Sequence, residues 1–550
     1  MRFFRGLAVE IKQRRAFRAS AVSNRSLLIR TLLLSLWLLL ATSPALADPA
    51  LHGTSRTQAG PVDVIFDMSM DPVVTPFEVA FEGMSRLLDL LRRHGASVSS
   101  NVLPLESVLG AWGGSGRILV LGMPWKTRYS PAALDAIDAF MRAGGGVLVI
   151  TEHDNVYRHA DAQNELTRRY GIETMFGQAV EVPRAGDPVQ GAWPFVAVPA
   201  WGIARARFLL PAPLAVRPPA KALAELSTPL RSEWATVMAE AAVGQGRLLV
   251  VADSEWLWNT TREFGLRGDD NEKLALRAFG ELAGRAGPLA VVPDLHAAAP
   301  LRGDLGNATR CVAFESEGNA FVPEDAPNGL MTLVRGLRAA GFAIRRATDR
   351  GAEGCEAGLL ILPLRPLGEA ATRLQARRLI LVTDGDSDVI GDAGSLWRRL
   401  PIRYDEYAGS GAERPLDALA RALGLRIPRV TLIDENDTTR VTALLSSGRS
   451  VVLHRAGTLA WQGDAFRGLV AAAPGTRMSD DLFPVTRSVN GKTEFPRRRA
   501  LPASDAPLWV VAQSQKVFAV ADVELVTDQF LATDAGKELL KLLTDWLVAK

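Results

Sequence analysis

Short apolar runs that end in polar or acidic residues alternate along this chain with stretches whose apolar positions recur every three or four residues. Val62 to Phe66 closes on Asp67, Val147 to Ile150 on Thr151-Glu152-His153-Asp154-Asn155, and Leu248 to Ala252 on Asp253-Ser254-Glu255. Between such runs, Gly83, Met84, Leu87, Leu88 and Leu91 have helical spacing, as do Leu134, Ile137 and Met141. Ser130-Pro131 reads as a helix cap followed by a first-turn proline, and Ala143-Gly144-Gly145-Gly146 as a stop. Near-continuous apolar strands alternating with helices predict an α/β fold, with a parallel sheet covered on both faces.

The same pattern is written twice. Val312 to Phe314 closes on Glu315, and Gly329, Leu330, Leu333, Val334 and Leu337 repeat the first helix. Leu359 to Leu362 answers Ile118 to Leu121. Leu381-Val-Thr-Asp-Gly-Asp386 answers Val149-Ile-Thr-Glu-His-Asp154, and Ala519-Val-Ala-Asp-Val-Glu524 answers Val250-Val-Ala-Asp-Ser-Glu255. Five anchors in one order predict a tandem duplication. The stretches 177–243 and 389–509, richer in Pro and Gly, fit the alternation less well and predict β-hairpins or a cap over the ligand edge. A Pro/Ala-rich joint around 287–304 separates the copies, giving domains at 48–290 and 291–550.

The first 47 residues stand apart. They hold eight Lys/Arg and one Glu, then the apolar run Leu32 to Ala41 and Ala45-Leu46-Ala47 before Asp48. This order predicts a secretory signal peptide cleaved after Ala47, and hence a periplasmic or secreted product with no stable membrane span. The leader supplies +7 against a whole-chain charge of +3, so the remainder is about −4. The basic pI therefore says nothing of nucleic acid, which is not expected as a partner. Cys311 and Cys355 begin the first and third strands of copy two, adjacent at one sheet edge; a disulfide and two buried thiols both fit.

Candidate chemistry lies at the carboxyl ends of the strands, where open α/β sheets bind ligands. One cleft would gather Asp67, Glu152, His153, Asp154, Asn155, Asp253 and Glu255; a second would gather Glu315, Asp384, Asp386, Asp388, Asp522 and Glu524. Paired carboxylates suit acid–base work or a hard cation, but they equally cap the following helices. The run Asp384 to Asp388 fails the EF-hand pattern at Val389 and Ser395, and His153 and His159 lack zinc spacing, so neither metal nor cofactor is expected. His153, flanked by Glu152 and Asp154, is the residue best placed for acid–base chemistry, or for orienting its loop. Trp112, Trp125, Trp256 and Trp258 fit sugar stacking or core packing.

Gly244-Gln-Gly-Arg-Leu-Leu-Val-Val-Ala-Asp253-Ser-Glu-Trp-Leu-Trp-Asn259, with Asp270-Asn271 opening a helix, is similar to the closing segment of class I glutamine-amidotransferase-like domains. Thr151 to Asn155, with Asn164-Glu165-Leu166 and Tyr170-Gly171-Ile172, resembles their central turn and helix. The likeness spans roughly residues 60 to 285 and is to the degenerate kind found in gliding-motility ABC-transporter accessory and intraflagellar-transport proteins. It implies two flavodoxin-like, amidotransferase-like, doubly wound and mostly parallel sheets. Amidotransferases of this fold use a Cys at the central turn. Copy one has no cysteine and copy two has Asp384-Gly385-Asp386 there, so Cys-dependent glutamine hydrolysis is excluded by residue type.

The expectation is an exported, non-enzymatic accessory protein of the cell envelope that binds a glycan, a peptide or an envelope protein and serves an exporter or surface-assembly system. Two alternatives stand beside it. One is an envelope-polymer hydrolase using the acidic and histidine side chains of domain one; the other is a pure scaffold.

Overall fold

Nine strands of the first repeat are β1 (Val62–Asp67), β2 (Ala96–Asn101), β3 (Arg117–Leu121), β4 (Gly146–Ile150), β5 (Phe195–Val198), β6 (Ile203–Arg207), β7 (Lys221–Leu226), β8 (Thr236–Val243) and β9 (Gly246–Val251). They form one sheet in the order β2-β1-β3-β4-β9-β8-β7-β5-β6. The first five run parallel in the flavodoxin-like order, and the last four continue the sheet antiparallel. The less regular stretch at 177–243 is thus a hairpin extension of the same sheet.

This computed structural model describes residues 62–549 except 74, 78–82, 126–127, 183–192, 260–264, 291–309, 315–327, 348–351, 362–377, 385–414, 429, 480–486, 490–491, 495–499 and 503–505. The leader, Glu315, Asp386, Asp388 and most of the inter-repeat joint lie outside the described residues. No helix among the described residues is long and apolar enough to cross a membrane.

The five parallel strands are buried because helices cover them. Helices α1 (Ser85–Arg93), α2 (Leu105–Trp112), α3 (Pro131–Arg142), α4 (His159–Thr167) and α5 (Asn271–Leu282) bury their three- and four-spaced apolar residues. Ser130 caps α3 as expected, its hydroxyl accepting from Ala133 N at 3.0 Å. Gly144, at φ +103°, ends the turn out of α3, and a Cβ on Gly146 would strike the backbone of Leu282. Trp112, Trp125, Trp256 and Trp258 are buried, so the core use of these rings holds over sugar stacking.

The second repeat has β10 (Arg310–Phe314), β11 (Phe342–Arg346), β12 (Ala357–Ile361), β13 (Arg378–Val382), β14 (Arg440–Leu445), β15 (Ser450–His454), β16 (Arg467–Ala472), β17 (Trp509–Gln513) and β18 (Val517–Val520). Their order, β11-β10-β12-β13-β18-β17-β16-β14-β15, is that of the first sheet strand for strand. Helices α6 (Met331–Ala339) and α7 (Asp534–Val548) take the places of α1 and α5. The duplication extends to single hydrogen bonds. Thr151 N donates to Val251 O at 3.0 Å and Thr383 N to Val520 O at 2.8 Å. Asn259 caps α1 through Arg86 N, and Asp528 caps α6 through Met331 N and Thr332 N.

Cys311 and Cys355 are bonded to each other, closing a loop across 44 positions at the amino edge of the second sheet. Closing a loop of that length restricts the unfolded chain, so the double Cys→Ser variant is expected to lose about 3 kcal/mol. Thermal denaturation with and without reductant measures this; an unmoved melting temperature would show that the bridge adds no stability.

Candidate functional site

The carboxyl edge of the first sheet is closed by its own antiparallel half. The sheet curls so that Leu209, two residues past the outermost strand β6, donates its N–H to Asp253 Oδ2 at 2.7 Å, just beyond the central strand β9. Ala212 N donates to Ala252 O at 2.7 Å. In the second repeat the counterparts are His454 N to Asp522 Oδ2 at 3.0 Å and Gly457 N to Ala521 O at 2.7 Å. The hairpins that the sequence marks as irregular therefore seal what would otherwise be an open, acid-lined cleft.

Beneath that seal, Glu152, Asp253 and Glu255 bring one carboxylate oxygen each to within 4.8 Å of one another, all three buried. Asp253 accepts from Leu209 N and from Glu255 N, both at 2.7 Å. Glu152 accepts from Ser254 N at 3.0 Å, Ser254 Oγ at 2.9 Å and His153 N at 2.8 Å. Burial, with the neighbouring charge of Glu152, pushes Asp253 up to about 7 and Glu255 well above the usual carboxylate range. Three acids in one buried site cannot all ionise cheaply, so the cluster holds protons that an exposed cluster would have shed.

His153, Asp154 and Asn155 sit at the rim, half-buried. His153 Nδ1 lies 3.1 Å from Asp154 Oδ2, and Gln178 donates to the same oxygen at 2.7 Å. Burial opposes charge on His153, but the Asp154 bond and the charges of Glu152, Asp154 and Asp253 more than offset it, so its pKa is raised. Asp154 and Asn155 adopt left-handed backbone (φ 51° and 49°). Asn155 is a local latch, accepting from Ala160 N at 2.9 Å and donating to Asp161 at 2.8 Å.

Asp67 does not join this group. It hydrogen-bonds Asn101 Nδ2 at 2.9 Å and Ser69 N at 3.2 Å, and burial raises it to about 6. Asn101 leads across the seam between the repeats: Gln529 donates to its Oδ1 at 2.9 Å and accepts from Val102 N at 3.1 Å. Asp71 binds Thr439, Arg455 donates to Pro72 O at 3.0 Å, and Asn328 donates to Ser100 O at 2.7 Å. The two carboxyl edges thus face each other within one compact body, residues 56–550.

A cavity of about 540 Å³ opens at this seam. Val102 and Leu103 of the first repeat and Leu525 and Phe530 of the second line it, with Arg440 and Arg449 among its charged groups. Arg440, Arg449 and Ser450 are exposed. Of this lining, sequence reading placed only Glu524 in a candidate cleft, because Val102 and Leu103 stand some 330 positions or more from the rest. It also missed Ser254 and His159. His159 Nε2 accepts from Glu152 N at 2.9 Å and its Nδ1 bonds Val156 O; burial lowers its pKa. The polar residue between Asp253 and Glu255, and the histidine six places after His153, were the available signals.

In the second repeat Asp384, Asp522 and Glu524 form the matching buried triad. Asp522 accepts from Glu524 N at 2.9 Å, as Asp253 does from Glu255 N.

A family model described as a domain of unknown function, DUF4350, matches residues 76–279, most of the first repeat. No curated protein matches. Among solved structures, the mmIFT52 N-terminal domain is similar at 17% identity and TM-score 0.32, covering 40% of this chain and 97% of that one. The cytoplasmic protein STM3548 from Salmonella typhimurium is similar at 15% identity and TM-score 0.24, covering 35% and 87%. A GH42 β-galactosidase, Gan42B, is similar over 28% of its length, at 11% identity and TM-score 0.23, covering 35% of this chain.

Proposed function

We propose that this is a non-enzymatic binding protein of the cell envelope, built from two amidotransferase-like domains, whose ligand sits in the seam cavity between them. The observation that carries the reading is that cavity: about 540 Å³, lined by both repeats, with Arg440, Arg449, Glu524 and Asp534 beside apolar walls. Arg449 shares its guanidinium with Glu538 at 3.4 Å and Asp534 also lines the cavity, so Arg440 is the group best placed to pair with a carboxylate of an acidic peptide or glycan, while Leu103 and Phe530 cover its apolar parts. Three further features support the reading. The carboxylates at the predicted catalytic edge are buried under their own sheet and used as acceptors. Both cysteines are bonded at the opposite edge. The leader has the order of a secretory signal.

The test is a thermal-shift panel of acidic and neutral peptides and oligosaccharides on the chain from Asp48 onward. An acidic ligand is expected to raise the melting temperature, and Arg440→Glu with Arg449→Glu to weaken it by about tenfold or more, the scale of one or two charge-assisted contacts. His153→Ala is expected to leave binding unchanged. Turnover of an envelope polymer that His153→Ala abolishes would instead establish the hydrolase alternative.

A further inference from the structure

We infer that the second repeat holds a hard divalent cation of the Ca²⁺ or Mg²⁺ kind on Asp384, Asp522 and Glu524. The three carboxylates approach within 4.8 Å of one another and are buried. The second observation is Glu524 itself: its side chain is 3% exposed, and neither carboxylate oxygen meets a hydrogen-bond donor. A buried carboxylate without a donor loses its hydration and recovers nothing, which is costly unless a cation or a proton replaces the water.

The first repeat shows what protein groups do when they serve this purpose. There Ser254 supplies both N–H and hydroxyl to Glu152, and its hydroxyl also lies 3.4 Å from Glu255 Oε2. In the second repeat that serine is Val523, and a valine side chain donates nothing. The duplicated carboxylate framework is kept while one side-chain donor, the serine hydroxyl, is gone. Among the described residues no Lys or Arg forms an ion pair with Asp522 or Glu524. An all-oxygen set selects a hard cation over zinc or copper. Glu524 also lines the seam cavity, which brings one member of the triad next to it. The inference does not depend on what organic ligand the cavity takes.

The experiment is calorimetric titration of the EDTA-stripped chain with CaCl2, MgCl2 and MnCl2 in turn, paired with melting curves. One of the three is expected to bind at one site per chain and raise the melting temperature. Glu524→Gln is expected to weaken that binding by at least 10–100-fold, because it removes a direct ligand where even outer-shell losses cost that much. The same variant should melt in EDTA no lower than the wild type, since it relieves charge crowding; if it does not fold, Asp384→Asn serves instead. No uptake of any of the three ions, or uptake that Glu524→Gln leaves intact, overturns the inference and leaves a shared proton as what holds the triad. Loss of acidic-ligand binding in the Arg440 and Arg449 variants with cation uptake retained separates the two sites.

Discussion

Asp253→Ala is expected to destabilise the protein by about 4 kcal/mol, because it orphans two buried N–H groups and leaves a hole. Leu209 N and Glu255 N both point at Asp253 from 2.7 Å, and its side chain is fully buried. Each lost acceptor costs roughly 1–3 kcal/mol. The damage should be local at first: the Leu209 bond holds the antiparallel half over the parallel one, so amide exchange should quicken around 195–226 before the rest. Asp253→Asn keeps one acceptor and should cost only about 1 kcal/mol near pH 6. Chemical denaturation of the three proteins measures this, with hydrogen exchange for the locality. Equal stability of Asp253→Ala and wild type would show that the edge is held by packing alone.

The contribution of Asp253 to stability is expected to fall as pH rises from about 4 to about 7, by about 4 kcal/mol. The sign follows from where the proton sits. Unfolded, Asp253 loses its proton near its ordinary 3.8; folded, it keeps it to about 7, so in that window the native state binds more protons. Its contribution is whole below the lower value, lost through the window, and constant above it. Glu255, also raised by burial and by the charges of Glu152 and Asp253, adds to the same slope. His153 acts in the same sense, since a raised histidine pKa stabilises the fold below its ordinary value and is lost as pH passes the raised one. Asp154 opposes it at the acid end: its lowered pKa contributes stability that is lost as pH falls through it. His159 and His454, both held low by burial (His454 at about 4), oppose it within the window, since each contributes stability that is lost as pH falls below the ordinary histidine value. Melting curves in EDTA from pH 4 to 8, on the wild type and on Asp253→Asn, isolate the Asp253 contribution. Asp253→Asn should flatten the slope and match or exceed the wild type at pH 8. A pH slope that Asp253→Asn leaves unchanged would refute the buried, protonated cluster.

The parallel half of each sheet was legible because its strands are buried on both faces. Burial demands apolar runs such as Val147 to Ile150, and the chain has few other ways to place them. The duplication was legible for the same reason: matching runs and matching polar stops recur in order, and the hydrogen bonds of Asp253 and Asp522 repeat with them. The antiparallel half was harder. β7 (Lys221–Leu226) and β14 (Arg440–Leu445) show mixed and alternating burial, and such strands can pair with many neighbours. Sequence reading could mark them as hairpins but could not say that they continue the sheet.

The site divides along the same line. Sequence by itself settled which side chains end each strand, that copy one has no cysteine, and that the carboxylates come in corresponding sets, because these are properties of residue type and order. Only the tertiary structure decided that Asp67 leaves its set for Asn101 and the seam, that the curled hairpins bury Glu152, Asp253 and Glu255, and that a cavity forms where the carboxyl edges meet. The physical reason is range. Strand and helix periods are set by neighbours a few positions apart, whereas burial of a carboxylate depends on Leu209 closing over Asp253 and Gln529 reaching Asn101, 428 positions away. Those contacts leave no period in the chain; they exist only once the sheet has twisted, curled and met its second copy.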